Sequence, residues 1–262
     1  MFKYQEDICE IKKLFEPLKM NYIFKSISQG KIEVSFFVDK TKNPKTSIMK
    51  KENAYYFAGK IDALVIDEFK DYLLNNYHPS KSNYIKIIVS NQAWAQKLGE
   101  DLSDFESYLY GRSLFKHSLK SISNHKPINQ NIDIVEISKL IIEEGKENTN
   151  LLIDEINGEW NSLEKFYKFG FGYLALDNQK IVGWCTSEYM SQKSCGIGIE
   201  VIESYQKQNI AKAMTSAFLN KAKEKSMTPY WDSWDWNKAS MKTAISCGFD
   251  LVNIYQSFLL II

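Results

Sequence analysis

The run Cys195-Gly-Ile-Gly-Ile-Glu-Val-Ile-Glu-Ser-Tyr205-Gln-Lys-Gln-Asn-Ile-Ala-Lys-Ala-Met214 changes its hydrophobic period partway along. Ile197, Ile199 and Val201 alternate with Gly198, Glu200 and Ile202, the period of a strand. Gln206 to Asn209 is a polar break. From Ile210 the apolar residues Ile210, Met214, Ala217 and Phe218 fall on one helical face, and Lys212, Ser216, Asn220 and Lys223 fall elsewhere. The spacing therefore predicts strand, tight loop, helix. The first N–H groups of a helix have no partner within it, and its dipole favours negative charge there. Such a turn is an anion site, with phosphate the usual occupant. An ordinary polar turn ahead of an amphipathic helix is the plain alternative.

Composition narrows what surrounds this stretch. The chain has 262 residues, 44% hydrophobic and 14% aromatic, enough to fill the core of one large or two ordinary domains. A net charge of +1 supplies no field to hold nucleic acid or an anionic membrane. Arg112 is the only arginine, so bidentate recognition of phosphates or bases is scarce. Cys9, Cys185, Cys195 and Cys247 form no C-x-x-C, and no histidine stands at zinc-ligand spacing, so no metal is expected. Reduced core thiols and the lack of a signal-peptide apolar region in Met1 to Lys13 read as a cytoplasmic protein. The apolar end, Phe258 to Ile262, is too short to span a bilayer and reads as a buried last strand.

Along the chain, the spacing of Ile8, Ile11, Leu14 and Phe15 predicts a helix ended by Pro17. Strands follow at 32–38 and 54–58, with 41–47 a loop; a helix over 64–77 ends at His78-Pro79-Ser80. A strand at 84–89 leads to Asn91 as N-cap of a helix stopped by Gly99, then to a strand at 108–116. The polar stretch 121–131, containing Pro127, is the expected linker. Beyond it come a strand at 132–135, helices at 136–144 and 162–169, and a hairpin of 171–176 with 181–187. After the central stretch, 230–234 is a strand, Asn237 opens a helix running to Cys247, and 251–262 is again strand.

Gln206-x-x-Asn209-x-Ala211 between a strand and a helix resembles the acyl-CoA pyrophosphate loop of the GCN5-related N-acetyltransferases (GNAT), written R/Q-x-x-G-x-G/A. Pro229-Tyr-Trp-Asp232, then Asn237-x-x-Ser240, then Gly248-Phe249 resemble that family's next strand, helix and exit. The combination is most similar to the subfamily that includes the zwittermicin A resistance acetyltransferase. Tyr55-Tyr-Phe-Ala-Gly59 and Arg112-Ser-Leu-Phe-Lys116 extend the likeness upstream. The resemblance implies two α/β domains: an N-terminal one over 1–126 that forms the acceptor site or covers its neighbour, and a catalytic one over 127–262. The latter would be a GNAT acyl-CoA-transferase fold, a central mixed, mainly antiparallel sheet flanked by helices. The family's loop glycine is Asn209 here; Asn is the side chain best able to take its place at φ > 0.

Acyl transfer from a thioester to an amine needs a phosphate cradle, a slot for the pantetheine, a base and an oxyanion stabiliser. The resemblance assigns acetyl-CoA to the backbone of Gln206, Lys207, Gln208, Asn209, Ile210, Ala211 and Lys212. Lys207 and Lys212 could add charge, though each taken singly reads rather as a solvated lysine. It assigns pantetheine to Ile199 and Val201 between splayed strands, with Asn237 and Ser240 facing it across the cleft. Asn237 is also a plain N-cap candidate. Glu200, an acidic residue inside the strand, is the candidate base, expected part-buried with its pKa raised; an exposed strand carboxylate is the alternative, and Glu203 the second choice. The family's acid, a late-helix Tyr, is replaced by Ala244, leaving Tyr230, a water or an unassisted thiolate. Trp231, Trp234 and Trp236 with Asp232 and Asp235 invite an acceptor pocket, with core packing for Trp231 and a turn for Asp235 favoured. No role falls to the three histidines. The expected activity is transfer of acetyl from acetyl-CoA to a small-molecule amine by direct attack. A non-catalytic acyl-CoA-binding or degenerate module, acting as a sensor or partner-binding protein, is the rival.

Overall fold

The computed structural model of the protein describes residues 2–4, 8–77 and 83–262, so the expected stop at His78-Pro79-Ser80 lies outside the described residues. The strands are β1 (Phe2–Tyr4), β2 (Ser35–Val38), β3 (Thr46–Lys51), β4 (Ala54–Gly59), β5 (Tyr84–Val89), β6 (Ser107–Lys116), β7 (Ile132–Glu136), β8 (Gly172–Asp177), β9 (Lys180–Glu188), β10 (Ser194–Val201), β11 (Thr228–Trp234) and β12 (Asp250–Ile261). The helices are α1 (Ile8–Lys12), α2 (Asn21–Ser28), α3 (Ala63–Asn75), α4 (Gln92–Asp101), α5 (Lys139–Glu143), α6 (Thr149–Trp160), α7 (Leu163–Phe169), α8 (Ile210–Glu224) and α9 (Lys238–Ser246). Two compact units emerge: Met1–Ser113 with Trp234–Trp236 and Asn253–Ile262, and Leu114–Ser233 with Asn237–Val252.

In the first unit the strands lie in the order β1-β2-β3-β4-β5-β12-β6. Ile48 stands opposite Phe57, and Lys50 opposite Tyr55, so these four side chains share a sheet face. On that face α3 and α4 bury Val65, Phe69, Trp94 and Leu98 against Phe57, Ile87 and Phe258. Burying each such side chain is worth about 1.5–3 kcal/mol. Asn91 caps α4 as expected, its Oδ1 accepting from the Trp94 N–H at 3.0 Å. Gly99 does not end the helix, which runs on to Asp101. Pro17 does not end its segment either: residues 13–18 form a 3-10 turn that accommodates it. The expected loop at 41–47 is shorter, because Thr46 already opens β3; β1, β3 and α2 were not read from the sequence.

In the second unit the order is β6-β11-β10-β9-β8-β7. The pairs β7–β8, β8–β9 and β9–β10 are antiparallel, and β10–β11 is parallel. Helix α8 packs across this sheet, with Phe218 stacked on Phe171 at 4.6 Å between ring centroids. Ser216, expected on the polar side of α8, is instead buried. Its Oγ donates to the Ser123 carbonyl at 2.7 Å and accepts the His125 N–H at 3.1 Å. The irregular 121–131 stretch is thereby tied to α8, and the Ile128 N–H donates to the Gln208 carbonyl at 2.9 Å. The missed helix here is α6, whose Trp160 Nε1–H donates to the Ser187 carbonyl at 2.8 Å.

Candidate active site

The site begins with a parting of strands in the second unit. β10 and β11 pair at Ser194–Thr228, Cys195–Pro229 and Gly196–Tyr230, and the register stops there. β9 stays paired with β10 up to Val201. Successive strand residues turn their backbone groups to opposite edges, so alternate residues of 197–201 present N–H and C=O to the opened side. The cleft widens into a cavity of about 530 Å³ that Ile199, Glu200 and Val201 line from β10.

The floor of the cavity is the loop and the start of α8: Gln206, Lys207, Asn209, Ile210, Ala211 and Lys212. Asn209 has φ 60 and ψ 9, the left-handed conformation expected of it in place of glycine. Lys207 is also left-handed, at φ 61, which its residue type did not foretell. Left-handed residues in such turns tilt backbone N–H groups into an anion-binding concavity. No side chain caps α8. Its first internal bond runs from the Ala213 N–H to the Asn209 carbonyl at 2.9 Å. The N–H groups of Ile210, Ala211 and Lys212 therefore stand outside the helical ladder at its positive end. Gln206 is fixed by its own amide, whose Nε2 donates to the Val201 carbonyl at 3.2 Å. Gln208 is the one expected loop residue that does not line the cavity; its carbonyl serves the bond from Ile128 instead.

The far wall is Trp231 and the start of α9, with Asn237, Ala239, Ser240 and Thr243. Asn237 is the N-cap, its Oδ1 accepting from the Ser240 N–H at 3.0 Å, and it lines the cavity as well. Trp231, buried, donates its Nε1–H to Ser240 Oγ at 2.9 Å. That bond uses an acceptor site of Ser240 and leaves its hydroxyl proton to donate. α9 closes at Gly248, φ 86, where the Gly248 N–H bonds Ile245 and the Phe249 N–H bonds Ala244. This paired C-terminal capping requires a left-handed residue and explains the Gly-Phe pair. Phe249 then packs edge-on against Trp231 at 5.5 Å, so the exit of α9 props the cavity wall.

Glu200 differs from expectation. It is exposed at the cavity edge, not part-buried, because it lies near the end of β10 where the partner strand has parted. Glu203 is exposed in a 3-10 turn and is not among the lining residues. Sequence reasoning missed a second carboxylate near the strand, although it too is not among the lining residues. Glu188, half-buried at the end of β9, lies over Gly198: a Cβ on Gly198 would collide with Glu188 Oε1. Gly196, Gly198 and Glu200 share one face of β10 by strand alternation. The signal was present in the alternation Gly196-x-Gly198, which clears space on one strand face for a neighbour's long side chain.

Tyr230 is half-buried, and burial raises its phenol above the ordinary range, so it stays protonated at neutral pH. Tyr230 does not line the cavity; Tyr205 does, and it donates its hydroxyl to Asp177 Oδ2 at 3.0 Å. Burial pushes the Cys185, Cys195 and Cys247 thiols up, as suits structural cysteines. The tryptophan cluster does not act as one group. Trp231 belongs to the second unit, while Trp234 and Trp236 stack on each other in the first, at 6.2 Å. Asp235 Oδ2 there accepts the Gly111 N–H at 3.1 Å. Among the described residues no group of three or more His, Cys, Asp or Glu side chains is placed to hold a metal ion, and no helix is long and apolar enough to cross a membrane.

A parted parallel strand pair, a left-handed loop and an uncapped helix N-terminus together suit a long ligand with an anionic end. The profile of the GNAT acetyltransferases matches residues 12–258. The chain belongs to the GNAT acetyltransferase family, and by family it is an N-acetyltransferase. It is 23% identical over 250 residues to the uncharacterized N-acetyltransferase YdfB of Bacillus subtilis strain 168, covering 95% of this chain and 94% of that one. A GCN5-related N-acetyltransferase-like protein from Streptococcus suis 89/1591 superposes with a TM-score of 0.72 at 19% identity, over 95% of this chain and 96% of the other. A GCN5-related N-acetyltransferase from Kribbella flavida does so with a TM-score of 0.59 at 8% identity, over 94% and 95%. These structural likenesses establish the α/β GNAT fold, a mixed sheet flanked by helices.

Proposed function

We propose that the protein transfers an acetyl group from acetyl-CoA to a primary amine of a small molecule by direct attack. The observation that carries the reading is the 530 Å³ cavity whose floor is the uncapped start of α8 and whose side is the unpaired edge of β10. GNAT acetyltransferases in general use acetyl-CoA, which supplies the acetyl group already activated as a thioester. The N–H groups of Ile210, Ala211 and Lys212 would hold the pyrophosphate; charge-assisted bonds of this kind contribute about 1.5–3 kcal/mol each. Lys207 and Lys212 add positive charge on the same floor. The backbone of Ile199 and Val201 would take the pantetheine as an added strand. Ser240, held by Trp231, has its hydroxyl proton to donate toward the cofactor.

Glu200 is the proposed base, since it is the carboxylate on the cavity wall. Glu188 is the second reading, favoured by its half-buried position over Gly198 on the same strand face. The likeness to the zwittermicin A resistance subfamily supports a small amine acceptor. The non-catalytic rival rests on the missing late-helix tyrosine: its position, Ala244, is fully buried and offers no acid.

Thermal shift and turnover test the reading together. Acetyl-CoA at about 100 times its Kd should add roughly 2.7 kcal/mol of stability. Free thiol should then appear when a panel of polyamines and amino sugars is supplied. No thermal response to millimolar acetyl-CoA would refute the binding reading; a response without thiol release on any amine would favour the non-catalytic one.

A further inference from the structure

The first unit contains a cavity of its own, about 320 Å³, between the β2–β4 edge of its sheet and α3. Phe37, Ile48 and Phe69 give it apolar walls. Three polar hydrogens meet at one end. Lys50 Nζ donates to the Tyr72 hydroxyl at 2.9 Å. That bond occupies an acceptor site on Tyr72, leaving its O–H to donate elsewhere. The Tyr55 hydroxyl, on a side chain 2% exposed, lies close enough to that of Tyr72 to interact with it but makes no well-formed hydrogen bond.

This arrangement is costly unless something completes it. A buried hydroxyl left without a partner loses its hydration with no bond to compensate. The Lys50 ammonium lies 5.5 Å from the Tyr55 ring centroid and 5.3 Å from that of Tyr72. Among the described residues no carboxylate forms an ion pair with it. Burial, then the neighbouring Tyr72, push the Tyr55 phenol above its ordinary range. At Tyr72 burial acts upward, but the Lys50 hydrogen bond, Tyr55 and the Lys50 charge outweigh it and bring the phenol below its ordinary value. A negative charge is thus favoured beside Lys50. The two tyrosine faces are already used by a cation, which repels an incoming amine. Glu68 and Asp71, both exposed, also line the cavity, and neither forms an ion pair with Lys50.

We propose that this cavity is a second ligand site, specific for a small carboxylate with an aromatic or short aliphatic body. The carboxylate pairs with Lys50 and accepts from the Tyr55 and Tyr72 hydroxyls. The body packs on Phe37, Ile48 and Phe69. The site shares no lining residue with the proposed acetyl-CoA cavity, so its occupancy does not depend on the catalytic reading.

The test is calorimetric titration of the full chain, with saturating acetyl-CoA present, using 3-phenylpropionate, its neutral amide and 2-phenylethylamine. The carboxylate should bind saturably in the micromolar to millimolar range, and the amide should bind at least about tenfold more weakly, the equivalent of about 1.4 kcal/mol. Lys50→Met should weaken the carboxylate by a similar factor. Tyr55→Phe should weaken it several-fold without lowering the Tm, because the free protein loses no well-formed hydrogen bond there. Tyr55→Phe also keeps the proposal falsifiable should Lys50→Met fail to fold. The proposal is overturned by no saturable carboxylate binding, by equal binding of the amide, by preference for the amine, or by unchanged affinity in whichever variants fold.

Discussion

The two cavities are built from different parts of the chain. In the second unit the proposed anion-binding end is backbone: N–H groups at the start of α8, preceded by left-handed Lys207 and Asn209. In the first unit it is side chain: an ammonium from β3 and two phenols from β4 and α3, brought together by packing. A backbone site depends on local conformation, so its cradle lies in six consecutive residues. A side-chain site depends on which residues share a face, so its members lie at positions 50, 55 and 72. The first should tolerate side-chain changes that preserve its dihedral angles; the second should weaken with each donor removed.

Catalysis gives the largest expected effect. Glu200→Gln should lower kcat by about 10²-fold or more with the acetyl-CoA KM and thermal shift little changed. Wild-type kcat in that variant, with a loss of the same size in Glu188→Gln, would transfer the role to Glu188. Gly198→Ala sharpens the choice, because its new Cβ must displace the Glu188 carboxylate: a fall in kcat at constant acetyl-CoA affinity would implicate that group.

Asn209 tests the backbone character of the loop. Asn209→Val should weaken acetyl-CoA binding by about tenfold or more, since holding a β-branched residue at φ 60 costs more than the 1–2 kcal/mol typical of other side chains. Asn209→Gly should bind as well as the native chain or better. Equal affinities measured by calorimetry would break the comparison between the cavities. Gln206→Ala should have a smaller effect, within a few-fold, because the cradle is made of main chain. A loss as large as that expected for Lys50→Met in the other cavity would show that this side chain contributes as directly as the backbone.

The smallest effect concerns pH and a residue that lines neither cavity, packed behind Phe249. His117 is buried, its Nδ1 accepts the Leu119 N–H at 2.9 Å, and its Nε2 has no partner. Burial lowers its pKa, outweighing the opposing influence of Cys247 and Asp250. The unfolded chain then binds the proton more readily than the folded one. Its contribution to stability is therefore present above the unfolded value of about 6.5 and is lost as pH falls below it. A Tm-against-pH curve should show a downturn there that is reduced in His117→Asn; an unchanged downturn would assign it to other groups.

How much of this was legible beforehand follows the range of the interactions involved. The strand, loop and helix from Cys195 to Met214, the αL place of Asn209, the N-cap at Asn237 and the Gly248-Phe249 exit all depend on contacts within a few residues. Period, caps and permitted dihedral angles express such contacts directly in sequence. The three-residue β1 offered too few residues for a period, α2 was passed over behind Pro17, and Pro17 and Gly99 were overread as stops. The exposure of Glu200, the placing of Glu188 over Gly198 and the burial of Ser216 were decided by pairing and packing between distant segments. So was the meeting of Lys50, Tyr55 and Tyr72. Sequence alone determined where the chain turns from strand through a left-handed Asn209 into a helix, because that is a local property of dihedral angles. Only the tertiary structure decided which side chains face one another across a cavity, because register and helix packing set that relation, and neither is a property of any one stretch.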